Sequence, residues 1–142
     1  MKHLLAVAAA AAIFTVPAYA ALSPITSDQS LQNLGQCVAV EGTASVRKDP
    51  QRLGTDIDVD GEHSAFLGYI PAGNERQFPD LDSLNGQKVR ITGVVHTYLG
   101  RGEVKITNLP QLTAATGEPA EGGPTHVGPE FAKSGAMSTV CS

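Results

Sequence analysis

Two long stretches with a period of two, each with a glycine at its centre, constrain this chain more than any other feature. In residues 37–46 (CVAVEGTASV) apolar and polar side chains alternate around Gly42, and in residues 87–99 (QKVRITGVVHTYL) they alternate around Gly93. The side chains predicted to face inward from these two strands are Val38, Val40, Ala44, Val46, Val89, Ile91 and Val95. A long strand with a central glycine can bend and serve both sides of a small closed barrel.

Three shorter stretches complete a predicted set of five strands. They are residues 53–59 (LGTDIDV), 64–70 and 103–109 (EVKITNL), with Leu53, Thr55, Ile57 and Val59 pointing inward from the first of them. Between the third and fourth strands, Pro79 suits the start of a short helix and Asn85-Gly86 suit its end. The pattern predicts an all-β fold, namely a small five-stranded barrel with one short helix between strands 3 and 4.

Residues 1–20 have the features of a cleaved signal peptide. A positive start is followed by an apolar run over residues 4–16 and by the small-residue site Ala18-Tyr19-Ala20, which predicts cleavage after Ala20. The apolar run is shorter than the roughly 20 residues that cross a bilayer. We therefore expect no membrane span and a periplasmic or secreted location.

The rest of the chain divides into three predicted segments. Residues 21–36 form an N-terminal leader, in which Ser27 could cap a short helix that Gly35 ends. Residues 37–112 form the barrel. Residues 113–142 are rich in Gly, Pro and Ala with few apolar anchors, so we expect a disordered tail.

The two cysteines and the charge narrow the function. Cys37 and Cys141 form an even pair in an exported chain, which favours a disulfide; two free thiols or a bond to another molecule are the alternatives. Without Lys2, nine Lys and Arg face 14 Asp and Glu, a net charge of −5. This balance argues against general binding of phosphate backbones, which needs many cationic contacts, unless the cations cluster locally.

The glycine-centred strands lie within two related phrases, NLGQCVAVEGTASV (33–46) and LDSLNGQKVRITGVVHTYLGRGEVKITNLPQL (81–112). A pattern of the form L-x-G-x-x-V-x-V/I-x-G occurs in both, over residues 34–42 and 84–93, with slightly displaced spacing. On these residues the chain resembles the OB-fold (oligonucleotide/oligosaccharide-binding) family, and most closely its small stand-alone extracytoplasmic bacterial members. The resemblance covers residues 34–112 and implies a five-stranded Greek-key barrel. A generic β-sandwich is the alternative.

The resemblance also implies where a ligand would bind. In OB folds the binding surface is the outer face of strands 2 and 3, framed by the loops between strands 1 and 2 and between strands 4 and 5. Here those loops are RKDPQR (47–52) and LGRGE (99–103), which carry four of the nine cations. The first hypothesis is a non-enzymatic module that binds single-stranded nucleic acid through basic loops and stacking rings. The residues assigned to this role are Arg47, Lys48, Arg52, Tyr69, Tyr98 and Arg101.

The register predicted for strands 2 and 3 leads to a second hypothesis. Pairing Val59 with Ser64 keeps inward residues opposite inward residues and places Ile57 opposite Phe66. The outward face then contains Asp56, Asp58, Leu67 and Tyr69. An envelope protein, a cationic peptide or a small polar ligand would fit an acidic and apolar face of this kind at least as well as nucleic acid.

The segment TDIDVDGEH (55–63) also resembles the start of a calcium loop. Counted from Asp56, however, the twelfth position is Leu67, where an EF-hand requires a bidentate glutamate. We therefore interpret the segment as the second strand and its turn. A weaker divalent-cation site formed by Asp58, Asp60 and Glu62 stays open.

Neither a cofactor nor a catalytic apparatus is expected. No Ser or Cys lies in a nucleophile-elbow context, and the histidines lack the spacing of zinc ligands. The sequence thus predicts a protein that is not an enzyme and has no cofactor, and it leaves the weaker divalent-cation site open.

Overall fold

β-Strands are the main secondary structure in the computed structural model, which describes residues 22–115 and 140–141. The strands are β1 (Pro24–Ile25), β2 (Cys37–Asp49), β3 (Gly54–Val59), β4 (Phe66–Pro71), β5 (Lys88–Val94), β6 (His96–Tyr98), β7 (Arg101–Lys105) and β8 (Leu112–Ala114). The mainly β character predicted from the period-two patterning is confirmed. The predicted signal peptide, and residues 116–139 and 142 of the predicted tail, lie outside the described residues.

The strands form one open mixed sheet, not the closed five-stranded barrel predicted from the sequence. Seven of its eight strands follow the order β6-β7-β4-β3-β2-β5-β8, and β1 pairs with β2. The pairs β1–β2 and β4–β7 are parallel, while the others are antiparallel. The sheet has three more strands than predicted, and two of them are the short strands β1 (Pro24–Ile25) and β8 (Leu112–Ala114). β8 extends past residue 112, where we expected the barrel to end.

The remaining additional strand arises because the predicted fourth strand divides at Val95. The Val95 amide donates to the Gln36 carbonyl at 3.1 Å, and its carbonyl accepts from the Gly35 amide at 2.8 Å. These bonds take the backbone of Val95 out of the main ladder, so that β5 ends at Val94 and β6 starts at His96. The two strands still follow one another directly, and β5 pairs with β2 while β6 pairs with β7.

β2 changes partner at its centre, next to Gly42. Its residues 37–43 pair with β5 and its residues 44–49 pair with β3. A Cβ atom on Gly42 would lie only 2.5 Å from Val59 Cγ1 and from an Asp60 carboxylate oxygen. Glycine is therefore needed here because the end of β3 approaches the β2 backbone closely.

The predicted single helix is replaced by several short 3₁₀ helices. Two of them, Ala72–Gln77 and Leu81–Leu84, lie between β4 and β5; the second brings Leu84 into the core. A third, Ser27–Asn33, precedes β2, and its N-cap is Thr26 instead of the predicted Ser27. A short turn of the same type, Leu109–Gln111, leads into β8. Within residues 22–115 and 140–141, none of the helices has the length and apolar character required to cross a bilayer.

The register of β3 and β4 differs by two residues from the predicted one. Ile57 pairs with Gly68 instead of Phe66, and the connection between the strands spans residues 60–65. The tips of Ile91 and Ile106 lie 2.8 and 2.7 Å from the position of a Cβ on Gly68, so the core fills the space that this glycine leaves. Because the shift is an even number, every side chain stays on the predicted face of the sheet.

The apolar core is built mostly from the predicted inward side chains. Its buried members are Val38, Val40, Ala44, Ile57, Val59, Phe66, Ile70, Phe78, Leu84, Val89, Ile91, Val95, Val104, Ile106 and Leu112. Two predictions were wrong in part: Val46 is only partly buried, and the Leu53 side chain is 72% exposed. Leu53 lies in the turn before β3, with a φ of 55°, so it is not part of the strand alternation.

A disulfide joins Cys37 at the start of β2 to Cys141, as predicted. The two Cα atoms are 5.4 Å apart, within the range of ordinary disulfides. The bond brings the adjacent Val140 against the sheet, where it is buried and its carbonyl lies near Gly93. The end of the chain thus contributes to the packing of β2 and β5.

Removal of this disulfide should destabilise the fold strongly. The bond spans 104 positions of sequence, and the chain-entropy model assigns roughly 4 to 5 kcal/mol to a loop of that size. We expect a Cys37→Ser/Cys141→Ser double variant to lose about that free energy of unfolding, measured by urea titration with circular dichroism. Reductant should destabilise the wild type to the same extent and leave the variant unaffected. Equal urea midpoints for variant and wild type would contradict the prediction.

Candidate binding face

The outer face of β3, β4 and β7 carries a cluster of three arginines, four carboxylates and two tyrosines, which we call the Arg52 network. Its members are Arg47, Arg52, Arg101, Asp49, Asp56, Asp58, Glu103, Tyr69 and Tyr98. Arg52 is at its centre, in the turn that follows β2. This turn forms because the Asp49 carboxylate accepts from the backbone amides of Gln51 and Arg52, at 2.9 and 3.1 Å.

The Arg52 guanidinium contacts three carboxylates in its own plane. Nε donates to Asp49 at 2.8 Å, Nη2 to Asp56 at 2.7 Å and Nη1 to Glu103 at 2.5 Å. These acceptors lie on β2, β3 and β7, so one side chain connects three strands. Burial disfavours the charged form of Arg52 and on its own would lower its pKa. The hydrogen bonds to Asp49 and Glu103 outweigh this effect, so the pKa of Arg52 lies above its ordinary value.

Aromatic rings cover both faces of the same guanidinium. The Arg52 Cζ atom lies 3.9 Å from the ring centroid of Tyr69 and 3.7 Å from that of Tyr98. The Tyr69 hydroxyl also donates to the Arg52 carbonyl at 2.9 Å. A planar cation stacked between two rings gains cation–π attraction on each side. This stack joins the turn after β2 to β4 and to the end of β6.

The two outward aspartates of β3 lie beneath this layer. Asp56 and Asp58 are only 3% and 2% exposed. Arg47 donates to Asp56 at 2.9 Å and lies 3.5 Å from Asp58, and Arg101 donates to Asp58 at 2.7 Å. Buried carboxylates need such partners, because an unpaired charge is costly to remove from water. Burial raises the pKa of Asp56, and the attraction of Arg52 and Arg47 works in the opposite direction.

The structure brings five of the six predicted nucleic-acid contacts together in the network, but with their charges already paired. Arg47, Arg52 and Arg101 each form ion pairs with carboxylates. The sixth, Lys48, binds Glu75 at 2.8 Å, away from the network. The hydrogen bonds from Lys48 and Thr55 lower the pKa of Glu75. Of the four cations predicted to lie in loops, only Arg52 does, because Arg47 and Lys48 belong to β2 and Arg101 begins β7. The sequence did not predict their ion pairs, of which Lys48–Glu75 and Arg101–Asp58 join residues 27 and 43 positions apart.

The residues of the alternative acidic and apolar face share one side of β3 and β4, as predicted, but they are not freely exposed. Leu67 is 1% exposed, and Tyr69 is partly covered by Arg52. Arg47 on β2, Arg52 in the turn after it and Arg101 at the start of β7 form ion pairs with Asp56 and Asp58. The face therefore presents a layer of alternating charge to solvent, with three arginines against four carboxylates.

Two leucines beside this layer were not recognised from the sequence. Leu53 follows Arg52 and Leu99 follows Tyr98, and they are 72% and 82% exposed. Both have positive φ angles, 55° and 49°, a conformation that bulky residues rarely adopt. Each stands directly before a glycine at the tip of a framing loop. A large apolar residue before glycine in a polar loop was the signal that could have identified them.

A cleft of about 300 Å³ opens between the two framing loops. It is lined by Arg47, Asp49, Pro50, Gln51, Asp56, Leu67, Tyr98, Leu99 and Arg101. Its volume is at the lower end of the range for small-molecule sites. The cleft is lined by both charged and apolar side chains, so one ligand could make ionic and apolar contacts there.

The divalent-cation site considered for the β3–β4 connection does not assemble. Asp58 binds Arg101, whereas the Asp60 carboxylate accepts from the Thr43 amide at 2.9 Å and the Ser27 hydroxyl at 3.1 Å. Across the described ranges, 22–115 and 140–141, no group of three or more His, Cys, Asp or Glu residues could hold a metal ion.

Comparison with known proteins gives this face no precedent. No protein-family model matches the chain, and no curated protein matches it significantly. The geometry of the cleft and its surroundings therefore carries the functional argument.

The Arg52 network should be essential for stability and should require arginine specifically. We expect Arg52→Lys to lower the free energy of unfolding by about 3 kcal/mol, because lysine keeps the charge but loses the fork that serves several carboxylates and the stacking plane. Urea unfolding at neutral pH measures this. The control is Arg76→Lys, at an exposed position on the helix Ala72–Gln77. A loss at Arg52 no larger than at Arg76 would show that the network is energetically unimportant.

Acid should weaken the turn at Asp49. The hydrogen bond from the Arg52 side chain, assisted by two backbone amides, outweighs desolvation and lowers the pKa of Asp49 from its ordinary value of 3.8. A lowered pKa in the folded state stabilises the protein above the ordinary pKa, and this stabilisation is lost as the pH falls through the folded value.

We therefore expect the free energy of unfolding of Asp49→Asn to fall less than that of the wild type between about pH 5 and pH 2. Urea titration at several pH values measures this. Asp82→Asn, at an exposed position in the helix Leu81–Leu84, serves as control and should keep the wild-type slope. Parallel slopes for wild type and Asp49→Asn would refute the assignment.

Proposed function

We propose that this protein is a non-enzymatic, extracytoplasmic binding module with an OB-type arrangement of strands, and that its ligand binds in the cleft between the two framing loops. The strand pairing supports the OB-type assignment. The run 88–98, formed by β5 and β6, pairs with β2 at one end and with β7 at the other. β3 and β4 lie between β2 and β7 in the sheet, and their outer face lies beside the loops that bind ligands in OB folds.

The disulfide supports the proposed location. Disulfides of this kind persist in oxidising compartments such as the periplasm or the exterior of the cell. Together with the signal-peptide features of residues 1–20, the Cys37–Cys141 bond favours an exported, periplasmic or secreted protein.

The ion pairs of Arg47, Lys48, Arg52 and Arg101 favour one class of ligand over the other. Each of the four cations assigned to nucleic-acid binding already has a carboxylate partner. A phosphate would have to compete with those carboxylates and would meet an excess of negative charge in the Arg52 network. A small ligand, or a short segment of an envelope protein, needs only a few groups in the cleft. We therefore place small-ligand or envelope-protein binding ahead of nucleic-acid binding.

Single-stranded nucleic acid is the second candidate, and one observation favours it. Arg47, Arg101 and Tyr98 line the same cleft, so a cationic edge and an aromatic ring are close together. Bases can stack on such rings without sequence preference. In this alternative the arginines would exchange their carboxylate partners for phosphates on binding.

The proposal that the protein is not an enzyme is supported by the state of the carboxylates. Asp49, Asp56, Asp58 and Glu103 each accept from at least one arginine. Carboxylates held in this way serve structural ion pairs, and proton transfer would disrupt the network that keeps the face together.

Oligonucleotide titration separates the two ligand classes. We expect the anisotropy of a labelled 15-nucleotide thymidine strand to stay flat at low salt up to high micromolar protein, because the cations are paired. An Asp56→Asn/Asp58→Asn double variant frees Arg47 and Arg101 and should bind this strand measurably. The control is Asp28→Asn/Asp82→Asn, which changes the net charge equally at exposed positions. Saturable, salt-sensitive binding by the wild type would establish nucleic acid as the ligand.

A further inference from the structure

The carboxylates that line the cleft are already paired with arginines. Both Asp56 oxygens accept from arginines, one from Arg52 and the other from Arg47. Asp49 accepts from Arg52 Nε through one oxygen and from two backbone amides through the other. A ligand that approaches with a positive charge would therefore compete with arginines that already neutralise these carboxylates.

The polar groups of the cleft differ in how fully they are paired. Arg101 uses Nε, Nη1 and Nη2 on Ser64, Phe66 and Asp58. Arg47 differs: its side chain is 44% exposed, and it contacts Asp56 through Nη2 and Asp58 through Nε. Among the described contacts Nη1 of Arg47 has no partner, and neither the Tyr98 hydroxyl nor the side-chain carboxamide of Gln51 makes a hydrogen bond. The unpaired polar surface of the cleft therefore consists of one edge of the Arg47 guanidinium and the neutral side-chain groups of Tyr98 and Gln51.

Apolar side chains form the rest of the cleft wall. Leu99 projects at the rim with 82% of its surface exposed, Leu67 is buried at 1%, and Pro50 is contributed by the opposite loop. The backbone of Leu99 is held in the left-handed region. Such strain at an exposed apolar side chain often accompanies function. A ligand that covered Leu99 would bury apolar surface that is exposed in the free protein, and this burial would favour binding.

We propose that the cleft binds a small organic carboxylate with a short apolar body. This inference rests on the proposed function, because it assigns a ligand class to the same cleft. The carboxylate accepts from the free edge of Arg47, a charge-assisted interaction that suits the planar guanidinium. The apolar body lies against Leu99 and Pro50. A single free guanidinium edge matches one negative charge, and the volume of about 300 Å³ limits the ligand to a small molecule.

Hexanoate is a suitable probe, and three related compounds separate its properties. Acetate keeps the carboxylate without the apolar body, hexylamine reverses the charge, and 1-hexanol removes it. We expect hexanoate to bind saturably with a dissociation constant of roughly millimolar, and each of the other three to bind at least about tenfold more weakly. Tyr98 lines the cleft and the chain has no tryptophan, so tyrosine fluorescence reports binding. Amide chemical shifts at residues 47–51 and 98–101 locate it.

Variants of the full-length protein test the two recognition elements separately. Arg47→Gln should weaken hexanoate binding by about tenfold or more through loss of the charge-assisted bonds. Leu99→Ser should weaken it by about tenfold through loss of apolar contact, and it should fold normally because Leu99 is exposed. Lys88→Gln removes the same charge as Arg47→Gln at an exposed site on β5 and should bind hexanoate like the wild type.

Each outcome has a distinct meaning. Saturable hexanoate binding that both cleft variants weaken supports the inference. Absence of hexanoate binding, or binding that Leu99→Ser leaves unchanged, overturns it. If hexylamine or 1-hexanol binds the cleft as tightly as hexanoate, the carboxylate specificity is wrong while the proposed small-ligand function stands. If none of the probes binds and the thymidine strand does, both the inference and the proposed function are wrong.

Discussion

The contact of the Arg52 guanidinium with three carboxylates and two aromatic rings is the interaction on which the outer face of the sheet depends. It connects the turn after β2 with β3, β4, β6 and β7 through a single side chain. Together with Arg47 it neutralises the buried Asp56, because a buried carboxylate requires a charged partner. The guanidinium also fixes the ring of Tyr98, and with it the loop that carries Leu99. The shape of the cleft therefore follows from the coordination of one arginine.

This arrangement changes what the charge distribution means for recognition. Several arginines beside a cleft would ordinarily indicate a polyanionic ligand. Here the same residues neutralise acidic side chains of their own chain, so that recognition depends on the few groups left over. Arg47 retains a free guanidinium edge because it lies at the margin of the network, half exposed, whereas Arg52 and Arg101 lie within it. A strongly acidic protein can in this way keep a local preference for a negative charge.

The period-two pattern predicted the strands, their inward faces and most of the core, because alternation is a local property of the chain. It could not predict the register of β3 and β4, since a shift of two residues preserves every face. It also missed the division at Val95, which depends on hydrogen bonds from Gly35 and Gln36 more than 50 positions away. Ion pairs such as Arg52–Glu103, 51 positions apart, are likewise invisible in a local pattern. Leu53 was assigned to a strand because its apolar character fits the alternation, whereas its positive φ places it in a turn.

The Cys37–Cys141 bond makes every strand from β2 to β8 part of one covalent ring. A protease that cuts the ring at a single point leaves two pieces that stay attached to each other while the bond is intact. Their high effective concentration favours re-formation of the sheet, so a single cut need not inactivate the cleft. A cut before Cys37 is different, because it releases β1 and the helix Ser27–Asn33 from the rest of the molecule. Where proteases are present, the ring thus protects the face that carries the cleft more than it protects the N-terminal segment.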